Sequence, residues 1–410
     1  MRKPLTNNIA QAICAAILIL FGVANILFGP NVLGWDFSGY LTAATIVSNG
    51  DGRSLYDMNV QKAVQTRLVY PVTMRSGFLP FEYPPWAVLP FVPLAWLPLK
   101  VGYFVWFCVN AGLFLVALRI VTSALPAISS STNRLATMWL AAVSFFPLFT
   151  ALILGQLTIV IFLGYALCFF ALKKGNGFRA GLALALTLVK PQLVLALPLV
   201  LLYKRRWGAL LGLASGLGIL VVASALIVGI PRLDDYISIF RYAAEHWGCA
   251  GLSWRGLFCP LDMGLHLAAT MSVLSLALLI FAWRDSGHKA EAFDLQYALI
   301  IPITLLISPH LFGHDLTLLI LPAFLAINHA FPDKIGASSR GPDVIEVVAW
   351  VGVGYLVGLL RLFPNFNIFG VRPETLFLIA VSLALAKAIL LPGSAVLQTH
   401  SVDEASEIRR

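Results

Sequence analysis

The stretch that decides the fold, residues 178–206, has the sequence FRAGLALALTLVKPQLVLALPLVLLYKRR. It contains two apolar runs, 178–190 and 192–203, which meet at the tripeptide Lys190-Pro191-Gln192. At about 1.5 Å of rise per helical residue, each run is too short to cross a hydrocarbon core of ~30 Å. We therefore predict two short helices that meet at Lys190 inside the membrane, toward its outer side. Broken helices at this depth are tolerated only where they line a protein or water cavity.

The rest of the chain is also apolar. Of 410 residues, 59% are hydrophobic and 11% are charged, whereas soluble domains carry about 25% charged residues. So few charges cannot cover a surface against water, and only helices then satisfy the backbone in lipid, since a barrel would show period-two alternation. The net charge of +9 lies in short clusters between apolar runs, as topology signals do. We predict an all-α polytopic membrane protein and no nucleic-acid partner.

About twelve transmembrane segments are predicted from the apolar runs. Together they form a single integral membrane domain over residues 1–392, followed by a cytoplasmic polar tail at 393–410. The predicted segments are 9–29, 101–122, 134–152, 155–172, 178–190, 192–203, 207–230, 262–284, 293–308, 314–330, 343–362 and 372–391.

Charge sets the predicted orientation. With the N-terminus inside, the clusters Lys173-Lys174 and Lys204-Arg205-Arg206 both fall on the cytoplasmic side, as the positive-inside rule requires. This topology suits a bacterial inner-membrane protein with both termini in the cytoplasm. It leaves two long periplasmic loops, which we call the first outer loop (30–100) and the second outer loop (231–261).

The first outer loop is predicted to hold short juxtamembrane helices at 40–49 and 57–70. Its apolar stretch from Trp86 to Leu99 is interrupted by prolines, which argues against one straight helix and indicates a surface or re-entrant segment. The second outer loop contains Cys249 and Cys259. Outside the cytoplasm this pair is able to form a disulfide.

Two residues at the outer face are the main candidates for chemistry. Asp36 follows Trp35 and precedes Phe37; it either caps a helix starting at Phe37 or acts as a general base, with apolar neighbours raising its pKa. Lys190 lies in the middle of an apolar stretch, where an unpaired ammonium is costly. Its anionic partner is either a protein carboxylate, such as Asp36 or Asp315, or the phosphate of a lipid substrate.

Two histidines lie at the outer end of a predicted span. His310 and His314 have i, i+4 spacing, but no glutamate lies between them and Gly313 breaks the helix, so the sequence does not favour a metal pair. One of them is expected to bind a phosphate or to orient Asp36, and helix capping is the alternative.

Further polar residues at the outer face are candidates for substrate contacts. Glu82 and Tyr83, in a rigid proline turn, either anchor the loop or contact a sugar or acceptor. Gln156 either closes a helix turn or bonds a substrate, and Gln192 lies beside Lys190. Arg255 either guides an anionic head group or faces water.

These motifs, in this order, resemble a known family. The pattern covers roughly residues 10–330, and although each motif alone is weak, the order within this hydropathic context is specific. The sequence resembles glycosyltransferase family 87, a family of membrane GT-C glycosyltransferases. The motifs are Trp35-Asp36-Phe37 with Tyr40 and Ala43-Ala44, Gly50-Asp51-Gly52 with Leu55-Tyr56-Asp57, Tyr83-Pro84-Pro85, Leu154-Gly155-Gln156, Lys190-Pro191-Gln192, and Ser308-Pro309-His310 with His314.

The resemblance implies a GT-C fold with its active site facing away from the cytoplasm. It implies transfer of a sugar, typically mannose, from a polyprenyl-phosphate donor to a lipid or glycan acceptor of the envelope. In that reading Asp36 is the catalytic base. Lys190 binds the donor phosphate with one of His310 and His314, the position of His314 being favoured.

The implied reaction is a single inverting displacement, in which the phosphate leaves without protonation, so a second carboxylic acid is unnecessary. No cofactor or metal is expected, since the outer face carries no Asp-x-Asp motif. A transporter or flippase of lipid-linked sugars is the alternative, because broken helices and a buried lysine fit that function too.

Overall fold

The computed structural model describes residues 35–70, 78–284, 290–330 and 371–390, together with Ala16. Within these ranges the secondary structure consists of α-helices and 3₁₀-helices, and no β-strand is present. The predicted spans 9–29 and 343–362 and the polar tail 393–410 lie outside the described residues.

The described residues of the first outer loop form two α-helices, a 3₁₀ turn at Gly52–Ser54 and a longer 3₁₀-helix. Helix α1 spans Trp35–Ser48 and helix α2 spans Met58–Val69. Asp57 caps α2, because its carboxylate accepts the backbone N–H groups two and three residues ahead. The proline-rich stretch forms the 3₁₀-helix Pro85–Leu94. Both helical stretches are therefore confirmed, α1 begins earlier than predicted, and the stretch after Trp86 is not a straight α-helix.

The helices that follow include one bent pair. Helices α5 and α6 are together long and apolar enough to form one membrane span, but their axes bend by 52° at the break between them. Pro147 lies in the first turn of α6, directly after this break. These helices are α3 (Leu99–Ser123), α4 (Pro126–Ser129), α5 (Thr132–Val143), α6 (Phe146–Leu154) and α7 (Thr158–Lys173).

The break at Lys190 is confirmed. Helix α8 (Gly177–Ala185) passes through a 3₁₀ turn to Lys190, a second 3₁₀ turn follows, and helix α9 spans Ala196–Tyr203. Helix α10 (Trp207–Val228) lies against α8. Glycines allow this contact, since a Cβ atom on Gly181 would lie 1.9 Å from a backbone carbonyl oxygen of α10.

The second outer loop is cross-linked to itself. A disulfide joins Cys249 to Cys259, with 5.3 Å between their Cα atoms. Helices from this loop onward are α11 (Leu233–Trp247), α12 (Trp254–Phe258), α13 (Gly264–Arg284), α14 (Ala290–Ile307), α15 (Ile320–Ala330) and α16 (Pro373–Leu390); the 3₁₀-helix Gly313–Leu319 precedes α15.

Burial divides the helices into a centre and a rim. From Leu295 to Leu306, α14 is buried on every side, whereas α10 and α13 carry many exposed apolar side chains, as lipid-facing helices do. In the described part of the chain, four helices, α3, α10, α13 and α16, are long and apolar enough to cross a membrane, or five spans if α5 and α6 count as one. The total of about twelve, and the GT-C fold, remain predictions.

Candidate active site

Asp36 lies in the first turn of α1, so it does not cap a helix that starts at Phe37, and that alternative is wrong. Its carboxylate oxygen Oδ2 accepts a hydrogen bond from Nε2 of Gln156. The other side-chain atom of that amide, Oε1, accepts the hydroxyl of Tyr40 at 3.2 Å. Gln156 is therefore bound on both sides by α1, and Asp36 keeps part of its surface exposed.

The backbone around Gln156 is shaped by Gly155. This glycine adopts φ +77° and closes α6, because the N–H of Gln156 bonds the carbonyl of Ala151 at 2.8 Å. A Cβ atom on Gly155 would lie 2.8 Å from Cβ of Phe37, so only glycine lets α1 approach this turn. The indole N–H of Trp106 donates to the carbonyl of Gly155 at 2.9 Å and fixes the turn from α3.

Lys190 has a protein carboxylate as its partner. Its Nζ lies 2.8 Å from Oδ1 of Asp315 and 3.3 Å from Nε2 of His314. The same Asp315 oxygen accepts the hydroxyl of Thr158 at 2.8 Å. Lys190, Asp315 and His314 are all buried. Of the two alternatives for Lys190, the structure contains the ion pair, and the donor phosphate stays a prediction.

The proline turn contributes an aromatic wall and an acid. The ring of Tyr83 lies 5.9 Å from Nζ of Lys190 and 5.0 Å from the ring of Tyr40. The Glu82 carboxylate accepts the indole N–H of Trp247 at 3.0 and 3.1 Å. Glu82 thus anchors the first outer loop to α11, and its contact with a sugar remains a prediction.

The two histidines have different neighbours. His310 Nε2 lies 2.9 Å from Nε2 of Gln192, so the amide donates and the ring accepts. His314 instead lies beside Lys190 and stacks on Phe312 at 5.7 Å between ring centroids. The two rings therefore have separate hydrogen-bond partners. No cluster of three or more metal-ligating side chains is found in the described ranges.

Arg255 lies on the short helix α12, inside the loop that the disulfide closes. Its guanidinium occupies the space beside Gly248, and its charge lowers the pKa of His310. This loop is bonded to the His310 segment, because the N–H of Leu252 donates to the carbonyl of Leu311 at 3.0 Å. Arg255 therefore faces the histidine end of the site.

The charges of the cluster interact. Burial raises the pKa of Asp36 from 3.8 to about 6, against the hydrogen bond from Gln156 and the charge of Lys190, which lower it. Burial also raises the pKa of Glu82 from 4.5 to about 7, and the charge of Asp36 adds to this. Burial lowers the pKa of His310 to about 4, so its ring is neutral at pH 7. Two interacting carboxyl groups with raised pKa values are typical of a functional site.

Several contributors were not selected from the sequence. The sequence indicates Asp315 only as a partner for Lys190, and it gives no prediction for Thr158 or Asn110. Asn110 lies buried within α3 and donates from Nδ2 to the carbonyl of Gln156 at 3.4 Å. A polar amide in the middle of a spanning helix is itself a signal of function or of a polar contact, and it would have identified Asn110.

The family model of glycosyltransferase family 87 matches residues 81–309, more than half of the chain. The match includes Glu82, Lys190 and the residues between them, whereas Asp36 precedes it and His314 follows it.

One curated relative is a polyprenol-phosphate-mannose-dependent alpha-(1-2)-phosphatidylinositol pentamannoside mannosyltransferase from Mycolicibacterium smegmatis. It is 29% identical over 225 residues, which cover 52% of this chain and 53% of the relative. The chain thus aligns with about half the length of that protein. No solved structure matches the chain.

Proposed function

The chain belongs to glycosyltransferase family 87, and from this premise we propose that it is a membrane glycosyltransferase with its active site at Asp36. It moves a sugar from a polyprenyl-phosphate donor to a lipid or glycan acceptor of the envelope, on the periplasmic face of the inner membrane. Mannose is the favoured sugar, since the similar protein from Mycolicibacterium smegmatis is named for a polyprenol-phosphate-mannose donor.

The observation that carries the proposal is the meeting of a base and a buried cation. Asp36 and Lys190 belong to different parts of the chain, yet both border the same two tyrosines. Nζ of Lys190 lies 5.9 Å from the ring of Tyr83, which packs on Tyr40 at 5.0 Å, and Tyr40 shares the amide of Gln156 with Asp36. A sugar phosphate between them would expose its anomeric carbon to an acceptor hydroxyl near Asp36 and its phosphate to Lys190. Facing groups of this kind fit a displacement reaction.

The mechanism is a single displacement with inversion at the anomeric carbon. Asp36 removes the proton of the acceptor hydroxyl as the acceptor oxygen attacks. The bond from the anomeric carbon to the phosphate oxygen breaks, and the phosphate leaves on its lipid. Lys190 and His314 stabilise the charge that develops on this leaving group. Arg255 and His310 border the phosphate, while Tyr83, Glu82 and Gln192 contact the substrates.

Gln156 has a different part in this scheme. Because its amide bonds Asp36 on one side and Tyr40 on the other, it fixes the carboxylate oxygen Oδ2 and leaves Oδ1 for the acceptor. Gln156 is thus a positioning residue in this mechanism.

The direct test uses purified protein with radiolabelled polyprenyl-phosphate mannose and total envelope lipid. Incorporation of label into a glycolipid supports the proposal, and the anomeric configuration of the product tests inversion. The alternative function, a flippase of lipid-linked sugars, predicts that the labelled donor crosses protein-containing liposomes without sugar transfer. That outcome, with every polyprenyl donor tried, would reject the transferase proposal.

A further inference from the structure

A polar cavity lies between the two outer loops, apart from the Asp36–Lys190 cluster. It has a volume of about 400 Å³ and opens to the surface, within the ~300–1,000 Å³ range of small-molecule sites. We call it the outer-loop cavity. Its wall includes Arg53, Tyr56, Asp57, Arg232, Asp235 and Tyr242.

The floor of the cavity lies near the end of a spanning helix. A Cβ atom on Gly52 would lie 2.1 Å from the carbonyl oxygen of Ile227, so the first outer loop rests directly on the last turn of α10. Leu226 and Ile230, beside this contact, are 82% and 75% exposed. Leu226 belongs to α10 and Ile230 to the 3₁₀ turn that follows it. Because exposed apolar side chains at the end of a helix long enough to span a membrane are expected to face lipid, we place the cavity near the level of lipid head groups.

The chemistry of the wall favours a sugar ring over a free anion. The two arginines have carboxylate neighbours on the same wall, and Arg232 pairs with Asp235 at 3.5 Å. Paired charges supply both donors and acceptors for hydroxyl groups without a net positive field. Two tyrosines, Tyr56 and Tyr242, supply the aromatic surface against which the apolar face of a sugar ring packs.

A series of contacts joins the cavity to the proposed base. The hydroxyl of Tyr56 donates to the carbonyl of Tyr83 at 2.7 Å. The ring of Tyr83 packs on Tyr40 at 5.0 Å, and the hydroxyl of Tyr40 reaches Gln156, which holds Asp36. The cavity and the active site therefore lie on opposite sides of the same tyrosine cluster.

From these observations we infer that the outer-loop cavity binds a sugar ring in the head group of a glycolipid acceptor and thereby directs its reacting hydroxyl toward Asp36. This inference rests on the proposed function, because an acceptor exists only if sugar is transferred. The lipid tails of the acceptor lie along α10, and the head group enters the cavity from the membrane surface.

The first test measures binding without catalysis. Saturation-transfer NMR with methyl α-mannoside is applied to the full chain in lipid nanodiscs that contain no glycoside detergent. The signal is expected in the wild type and lost in Tyr242→Ala, which removes part of the aromatic wall. It should also be lost in Ser238→Trp, because Ser238 lines the cavity as well and a tryptophan there would fill it. Tyr70→Ala is the matched control, since Tyr70 is 81% exposed on the same loop and outside the cavity.

The second test measures the acceptor. Tyr242→Ala is expected to raise the KM for a mannosylated glycolipid about tenfold, the scale of one aromatic contact, and to leave the KM for the polyprenyl donor unchanged. The deacylated form of the same glycolipid is expected to have a higher KM than the lipid. An equal KM for both forms would overturn the glycolipid assignment.

The outcomes of the two tests separate this inference from the proposed function. If no polyprenyl donor supports transfer but the mannoside signal still depends on Tyr242, the function fails and the sugar site stands. If the signal is absent from the wild type or equal in all variants, the sugar site is overturned. If inorganic phosphate displaces the mannoside and only Arg53→Ala removes binding, the cavity is an anion site and the inference is wrong.

Discussion

Replacement of Asp36 by asparagine separates chemistry from folding. Asparagine preserves the shape of the side chain, and its Oδ1 is able to accept the amide N–H of Gln156 that Asp36 accepts. The variant should fold and bind the donor. Loss of a general base typically costs about 10²- to 10⁴-fold in rate, so we expect turnover to fall by that factor.

The pH dependence gives a second magnitude. With a pKa of about 6, the wild type should reach half of its maximal kcat/KM near pH 6 and about one tenth near pH 5, because only the ionised carboxylate accepts a proton. Asp36→Asn should lose this acid limb together with its activity.

The same pKa predicts a change in stability, with a sign opposite to that of activity. The folded pKa of about 6 lies above the ordinary value of 3.8, so the unfolded chain releases its proton first as pH rises. The wild type should therefore lose stability between pH 4 and pH 6, by about 3 kcal/mol at most. Asp36→Asn avoids this loss and should be the more stable protein at pH 7, with the difference vanishing below pH 4.

The assay combines donor turnover with thermal unfolding in detergent, each measured from pH 4 to pH 8. Asp234→Asn is the matched control, since Asp234 is exposed on α11 and lies outside the cavity and the active site; it should change neither quantity. If the wild type and Asp36→Asn show the same dependence of stability on pH, burial does not destabilise the ionised form of Asp36.

The competing base is Glu82, whose pKa of about 7 also lies in the working range. The charges of Asp36 and Glu82 interact, so the acid limb belongs to the pair unless one member is removed. Because Asp36 remains in place, Glu82→Gln should lower turnover far less than Asp36→Asn does, with the loss of a substrate contact appearing in KM. It should leave a single titration near or below pH 6. If Glu82→Gln abolishes turnover while Asp36→Asn retains it, the reasoning about the base is refuted.

Three other substitutions test the remaining parts of the site. Lys190→Met should raise the donor KM about 10- to 100-fold, the worth of a charged hydrogen bond to phosphate, whereas an unchanged donor affinity in titrations would leave only the structural ion pair. Gly155→Ala should lower kcat/KM more than the control Gly175→Ala does. Both glycines have φ near +76°, but only at Gly155 would a Cβ atom lie within 4 Å of another side chain. Equal kinetic losses in the two variants would refute the close approach of α1 to Gly155. The double change of Cys249 and Cys259 to serine should lower the free energy of unfolding by about 3 kcal/mol, the loop-closure value for so short a loop. If reductant leaves the melting temperature of the wild type unchanged, this stabilisation by the disulfide is contradicted.

Much of the fold follows from local sequence. The break at Lys190 was predictable because a proline and a lysine interrupt an apolar run that is otherwise continuous. The run 134–152 predicts one span, whereas the structure bends it between α5 and α6, next to Pro147. Apolar runs locate helices in the chain, but they do not tell where a helix bends.

The pairing of the site residues was less predictable than the residues themselves. Lys190 and Asp315 are 125 positions apart, and no local pattern joins them. Gln156 was predicted as a turn or substrate residue, but its side chain is bound to α1, which comes 116 to 120 positions earlier. A sequence shows which polar groups are costly to bury, whereas the partner that offsets the cost depends on the tertiary fold.

The ion pair of Lys190 and the raised pKa of Asp36 support one another in the proposed reaction. Asp315 keeps two neutral donors besides Lys190, the hydroxyl of Thr158 and the backbone N–H of Phe312, so the ammonium is able to turn partly toward a phosphate without leaving that carboxylate bare. A sugar phosphodiester carries one negative charge, and the departing monoester carries nearly two. During transfer Asp36 gains a proton and loses its charge as the phosphate gains one. The net charge of the buried cluster thus stays constant, which matters where added charge is poorly solvated, and a base with a pKa of 3.8 would take up that proton less readily than one with a pKa of about 6.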